Sequence, residues 1–148
     1  MSRLNLTPEQ IDALQAYVMY TSQKQRAAAL NVSENAFTAL TAKAVKAARA
    51  RNRLHAAVKA YQSGLFDEAE LDKTIPVPML EFEDLFENHR KIIWLAADGY
   101  ENYAIAAKLK ASDGLVAQYF RAIFDNTGYR DRNQAVFVCV RAKVPRVT

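Results

Sequence analysis

The chain has 148 residues, 51% of them hydrophobic, with only four Gly and four Pro and a formal net charge of +4, a globular composition that leaves long stretches free to be helical and permits a polyanionic partner without establishing one. A single cysteine, Cys139, excludes an intrachain disulfide and a thiolate zinc cluster. The N-terminus lacks an apolar core of signal-peptide length and no window approaches the roughly 18 apolar residues of a membrane span, so a cytoplasmic location without membrane partners is expected. In chain order, Thr7-Pro8-Glu9-Gln10 reads as a capping box with Pro in the first helical position. It opens a helix to about Tyr20 whose apolar face is Ile11, Leu14, Tyr17 and Val18. Ser22 caps a second helix to Leu30, and Asn31-Val32 makes a tight turn. Ser33 caps a third helix to about Ala48, with the stripe Phe37, Leu40, Ala44 and Val45. Asn52 caps a fourth to about Ser63, stopped at Gly64.

Between Leu65 and Glu81 the sequence predicts a linker, acidic and interrupted by Pro76-Val77-Pro78, with at most a turn or two of helix at Phe66 to Leu71. Helices then follow from about Phe82 to Ala97, Asn102 to Leu109 and Ser112 to about Asn126. Gly128 is expected to be left-handed, and Asp131 to cap a last helix to about Ala142. Val136 to Val140 is β-branched and aromatic enough to suit a strand; the repeat described next selects a helix.

Shifting the chain by about 79 positions aligns its halves without a gap. Leu30 then meets Leu109, Ser33 meets Ser112, Phe37 meets Val116, Arg53 meets Arg132 and Ala56 meets Ala135. Charge follows the same division. Met1 to Gly64 carries nine Lys or Arg against three acids and Leu85 to Thr148 ten against six, while Leu65 to Asp84 has seven acids and one Lys. Two basic blocks on either side of an acidic connector suggest two units that each face a polyanion. The expected fold is all-α, with modules at residues 1–64 and 82–148 joined by a linker at 65–81.

The pattern Gly99-Tyr100-x-Asn102-x-x-Ile105-Ala106-x-x-Leu109-x-x-Ser112-x-x-Leu115-Val116-x-x-Tyr119, continued by Ile123, Gly128-Tyr129, Arg132 and Ala135, resembles the C-terminal DNA-binding domain of the LuxR (GerE-type) regulators. The first half is similar through Leu6-Thr7-Pro8, Leu14, Ala28-x-Leu30-x-Val32-Ser33-x-x-Ala36-Phe37-x-x-Leu40 and Arg53-x-x-Ala56. The resemblance implies two helix-turn-helix modules, each with its third helix in the major groove of double-stranded DNA. It also implies pairing through the fourth helices, with Ala56, Ala57, Ala60 and Tyr61 facing Ala135, Val136, Val138 and Cys139. The chain would then act as a monomeric pseudo-dimer or a homodimer. The sensory domain usual in that family has no counterpart here.

The same resemblance assigns Ala117, Gln118 and Arg121 to the groove-facing positions of the second half, where Gln118 is suited to adenine and Arg121 to guanine. Their first-half counterparts are Thr38, Ala39 and Ala42, which can touch a thymine methyl and make no strong bidentate contact. Lys43, Lys46 and Arg49, with Arg51 and Arg53 close by, suit phosphates. Ser33 and Ser112 are N-caps that can also bond a phosphate through hydroxyl and backbone N–H. Arg53 and Arg132 are either phosphate ligands or structural residues bonded to neighbouring turns.

Little points to an enzyme. His55 and His89 lack metal-ligand spacing, no Gly-rich phosphate loop is present, and the acids from Asp67 to Asp72 lack the glycine of a calcium loop. No cofactor is expected, and the aromatics, Trp94 included, read as core. The alternative function is a protein-binding antiactivator or phage-type modulator on the same fold, docking on another regulator or on RNA polymerase.

Overall fold

Side-chain caps set where most of the helices begin. In the computed structural model, which describes residues 4–78 and 86–147, Thr7 Oγ1 accepts from Gln10 N–H at 3.2 Å and Gln10 Oε1 accepts from Thr7 N–H at 3.0 Å. This reciprocal box opens α1 (Pro8–Met19). Ser22, Ser33 and Asn52 likewise accept from the amides of Gln25, Ala36 and His55. They start α2 (Gln23–Leu30), α3 (Glu34–Ala47) and α4 (Arg53–Gln62). Asp67 caps α5 (Glu68–Thr74). In the later part, α6 (Glu87–Ala97) and α7 (Asn102–Leu109) have no side-chain cap, whereas Ser112 and Asp131 cap α8 (Asp113–Thr127) and α9 (Arg132–Arg141). The described residues contain helices and no strand, and none of the helices is long and apolar enough to cross a membrane.

The chain divides into two compact units, Met1–Ile75 and Pro76–Thr148. In the first, α1 packs on α2, α3 and α4. Ala13, Ala16, Ala27 and Phe37 form a buried cluster, with Tyr17, Tyr20, Leu30, Val32 and Leu40 packed around it. Fully burying a side chain the size of Leu14 or Phe37 contributes about 1.5–3 kcal/mol. The α3 stripe differs from the expected one: Phe37 and Ala44 are buried, Leu40 and Val45 are half-buried, and Thr41 is fully buried.

The stretch read from sequence as a connector contains α5, and its residues up to Ile75 fall in the first unit. Phe66 stays outside that helix, and Leu71 and Ile75 are buried. The Asp67 amide donates to Gln15 Oε1 on α1 at 2.9 Å, so α5 starts against α1. Residues 76–78 are non-helical, as two prolines require. The expected start of the next helix at Phe82 lies outside the described residues.

In the second unit α6 packs on α7, α8 and α9. Every residue from Ala135 to Arg141 is buried. A helix buried all round carries apolar side chains all round, which is why this sequence also suits a strand. Trp94 on α6 donates from its indole nitrogen to the Val144 carbonyl at 2.9 Å, and Arg146 caps the same ring at 4.1 Å while making a bidentate pair with Asp98. The segment after α9 is thereby fixed to α6.

Candidate nucleic-acid interface

The turns α2–α3 and α7–α8 share one geometry. Each first helix ends on a left-handed residue, Asn31 at φ 58° and Lys110 at φ 53°. The residue after it donates back to the helix, Val32 to the Ala27 carbonyl and Ala111 to the Ala106 carbonyl, which closes the terminal carbonyls in a Schellman-type end. A serine then caps the next helix. Helices α6, α7, α8 and α9 each begin 79 residues after α1, α2, α3 and α4.

On α3 the exposed side is Asn35, Ala36, Thr38, Ala39, Ala42, Lys43 and Lys46, with exposed Arg49 just beyond its end. On α8 it is Gly114, Leu115, Ala117, Gln118, Arg121 and Asp125. The residues singled out by sequence therefore lie on one solvent-facing side of each helix. Small residues in the middle of each side let the helix axis approach a surface closely, and longer side chains stand at its later part.

The side chains of Lys43, Lys46, Gln118 and Arg121 make no hydrogen bond or ion pair among the described residues. Those of Thr38, Ser33 and Ser112 are engaged. Thr38 Oγ1 accepts from Gln23 Nε2 and donates to the Glu34 carbonyl, both at 3.1 Å. Ser33 and Ser112 accept the capping bonds at 3.0 and 3.1 Å, leaving each hydroxyl proton to donate. Glu34 and Asp113 sit in the first turns of α3 and α8. They favour the helix and oppose a phosphate at the same end, so cationic attraction rests on the lysines and arginines further along. Arg49 occupies the left-handed end of α3 at φ 53°.

Arg53 and Arg132 are structural. Arg53 Nε donates to Thr41 Oγ1 at 2.7 Å and Nη2 to the Thr38 carbonyl at 3.4 Å. Arg132 donates from Nε to Asn102 Oδ1 and from Nη2 to the Tyr100 carbonyl, both at 2.9 Å, with its guanidinium 5.1 Å from the Phe120 ring. Arg53 thus holds the first turn of α4 onto α3, and Arg132 holds the first turn of α9 onto the start of α7 and the Phe120 ring of α8.

Among the described residues, the expectation that the aromatics belong to the core fails at two positions. Phe86 is 71% exposed and Tyr103 74%. Tyr103 is the second residue of α7, whose buried side is Ile105 and Ala106; Phe86 is the N-cap of α6 and stacks on His89. Tyr103 and the exposed lysines Lys108 and Lys110 are surface residues to which the sequence analysis assigns no role.

Among the described residues no group of His, Cys, Asp and Glu could hold a metal ion. His55 Nδ1 accepts from the Arg51 amide and His89 Nδ1 from the Phe86 amide. No protein-family model, curated protein or solved structure matches this chain.

Proposed function

We propose that this chain is a sequence-specific, double-stranded-DNA-binding transcription regulator built from two LuxR-like helix-turn-helix modules acting as a pseudo-dimer. The observation that carries the reading is the recurrence, 79 residues apart, of a helix, a left-handed turn and a serine-capped helix with an open side. In this reading α3 and α8 enter the major groove. Lys43, Lys46 and Arg49 neutralise phosphates, and Gln118 and Arg121 read base edges. Two modules in one chain supply two recognition helices without oligomerisation.

The test is fluorescence-anisotropy titration of the protein with duplex from its own upstream region and with scrambled duplex, across a salt series, alongside Arg121→Ala. Expected are salt-sensitive binding, preference for the native duplex, and loss of that preference in the variant. Weak, equal binding of both duplexes overturns the reading.

A second reading, a protein-binding modulator of another regulator or of RNA polymerase, is favoured by one feature of the first unit. Ala39 and Ala42 carry no hydrogen-bonding group and the Thr38 hydroxyl is already engaged, so the middle of α3 offers a base edge little beyond methyl contact. Capture of polymerase by the wild type, lost on Ala42→Glu, would select this reading.

A further inference from the structure

The first unit also holds a cavity of about 400 Å³, to which none of the proposed DNA-facing residues contributes. That volume falls in the ~300–1,000 Å³ range of small-molecule sites. Its lining changes character along α1. Met19, with Leu30 of α2 and Leu40 of α3, supplies an apolar floor. Asp12 and Glu9 line it about two and three turns earlier on the same face, and Glu70 of α5 joins them. All three acidic residues are exposed, and their carboxylates have no hydrogen-bond or ion-pair partner among the described residues.

Three unpaired carboxylates on one concave surface focus negative potential there, because the low-dielectric walls of a cleft concentrate the field. The first 64 residues otherwise carry nine Lys or Arg against only Glu9, Asp12 and Glu34, so the acids of this segment are gathered largely at this rim. A macromolecular partner needs about 1,000 Å² of complementary surface, and in the first unit the only exposed large hydrophobic among the described residues is Leu65, which lies outside the cavity. The apolar component is confined to a pocket.

We infer that this cavity binds a small amphipathic organic cation, its ammonium group among Glu9, Asp12 and Glu70 and its aliphatic or aromatic body on Met19, Leu30 and Leu40. The inference goes beyond DNA binding and does not depend on it. The site would couple an effector to the α2–α3 pair, since Leu30 ends α2 and Leu40 lies on α3.

The experiment titrates 15N-labelled full chain, without DNA, with 4-phenylbutylamine, 4-phenylbutanol and 4-phenylbutyrate, three probes sharing one apolar body. The amine is expected to give saturable amide shifts centred on Met19, Leu30, Val32 and Leu40. The alcohol should bind about tenfold more weakly and the carboxylate not at all. Asp12→Asn combined with Glu70→Gln, both at exposed positions, should weaken the amine about tenfold and leave the alcohol unchanged. Equal affinity for the three probes, shifts scattered away from the cavity, or no amine binding into the millimolar range overturns the assignment. So does saturation of the same residues by a basic Leu/Lys peptide that the amine fails to reproduce.

Discussion

Arg53 Nε lies 2.7 Å from the hydroxyl of Thr41, fastening the first residue of α4 to the buried side of α3. Thr41 is fully buried and its hydroxyl is also within reach of the Phe37 and Thr38 carbonyls. It is thus a polar group whose burial is tolerated because it is satisfied. Thr41→Val keeps the volume and strands the guanidinium donor. A loss of about 1–2 kcal/mol is expected, read as a lower urea midpoint at unchanged slope. Arg53→Ala should cost a similar amount, and the double variant less than the sum, the signature of a shared contact. Strictly additive losses would refute the coupling.

Backbone conformation alone sets a second expectation. Gly64 and Gly128 have φ of +75° and +79°, and a Cβ added at either meets nothing within 4 Å. Gly64→Ala and Gly128→Ala should therefore each destabilise by about 1 kcal/mol through left-handed strain without any clash. Lys110 already bears that strain at φ 53°. Lys110→Gly should shift thermal stability in the opposite direction, by a few tenths to about 1 kcal/mol. A loss on Lys110→Gly would show that its side chain contributes more than the strain costs.

Burial governs His89. Its pKa is lowered from 6.5 by desolvation, its Nδ1 accepts from the Phe86 amide, and its ring meets Tyr119 edge-on at 5.0 Å. The folded chain thus holds a neutral imidazole with the proton on Nε2. Between the lowered folded value and 6.5 the unfolded chain binds a proton that the folded chain does not. The His89 contribution is full above pH 6.5 and is lost as pH falls towards the folded value. His89→Gln keeps an acceptor for Phe86 N–H and should flatten the stability profile below pH 6.5; an unchanged slope would assign the dependence to other groups.

Cys139 lies within the wholly buried run of α9, and burial pushes its thiol up to about 12. A thiolate is the reacting form, so native protein should resist an aromatic disulfide reagent over hours and react at once in denaturant. Rapid labelling without denaturant would contradict the packing around this helix.

Helix starts were legible wherever a short polar side chain caps the backbone: Thr7, Ser22, Ser33, Asn52, Ser112 and Asp131 all bond the amide three residues on. The ends at Gly64 and Gly128 were legible because glycine takes up the left-handed backbone that closes a helix. The left-handed ends at Arg49, Lys110 and Lys143 were not, because a charged residue there carries no local mark and is held by the packing of the helix before it. The roles of Arg53 and Arg132 depended on partners 12 and 30 residues away, which composition cannot specify. The exposed sides of α3 and α8 followed from helical period, since the buried positions Phe37, Thr41 and Ala44, and Val116, Phe120 and Ile123, leave the opposite side open. Exposure of Tyr103 escaped because aromatic residues default to the core.

The proposed division of labour between the two exposed sides can be separated by salt. Lys43 and Lys46 are exposed point charges without an intramolecular partner among the described residues, and a lysine that neutralises a phosphate releases counterion irrespective of sequence. Lys43→Gln and Lys46→Gln should each lower the slope of log affinity against log salt by about 1, for native and scrambled duplex alike. Gln118→Ala removes no charge and should leave the slope in place while reducing the preference for native duplex by about 1–3 kcal/mol. If the lysine variants leave the slope untouched while Gln118→Ala acts as stated, the first unit does not touch DNA and the surface of α3 is free for a protein partner.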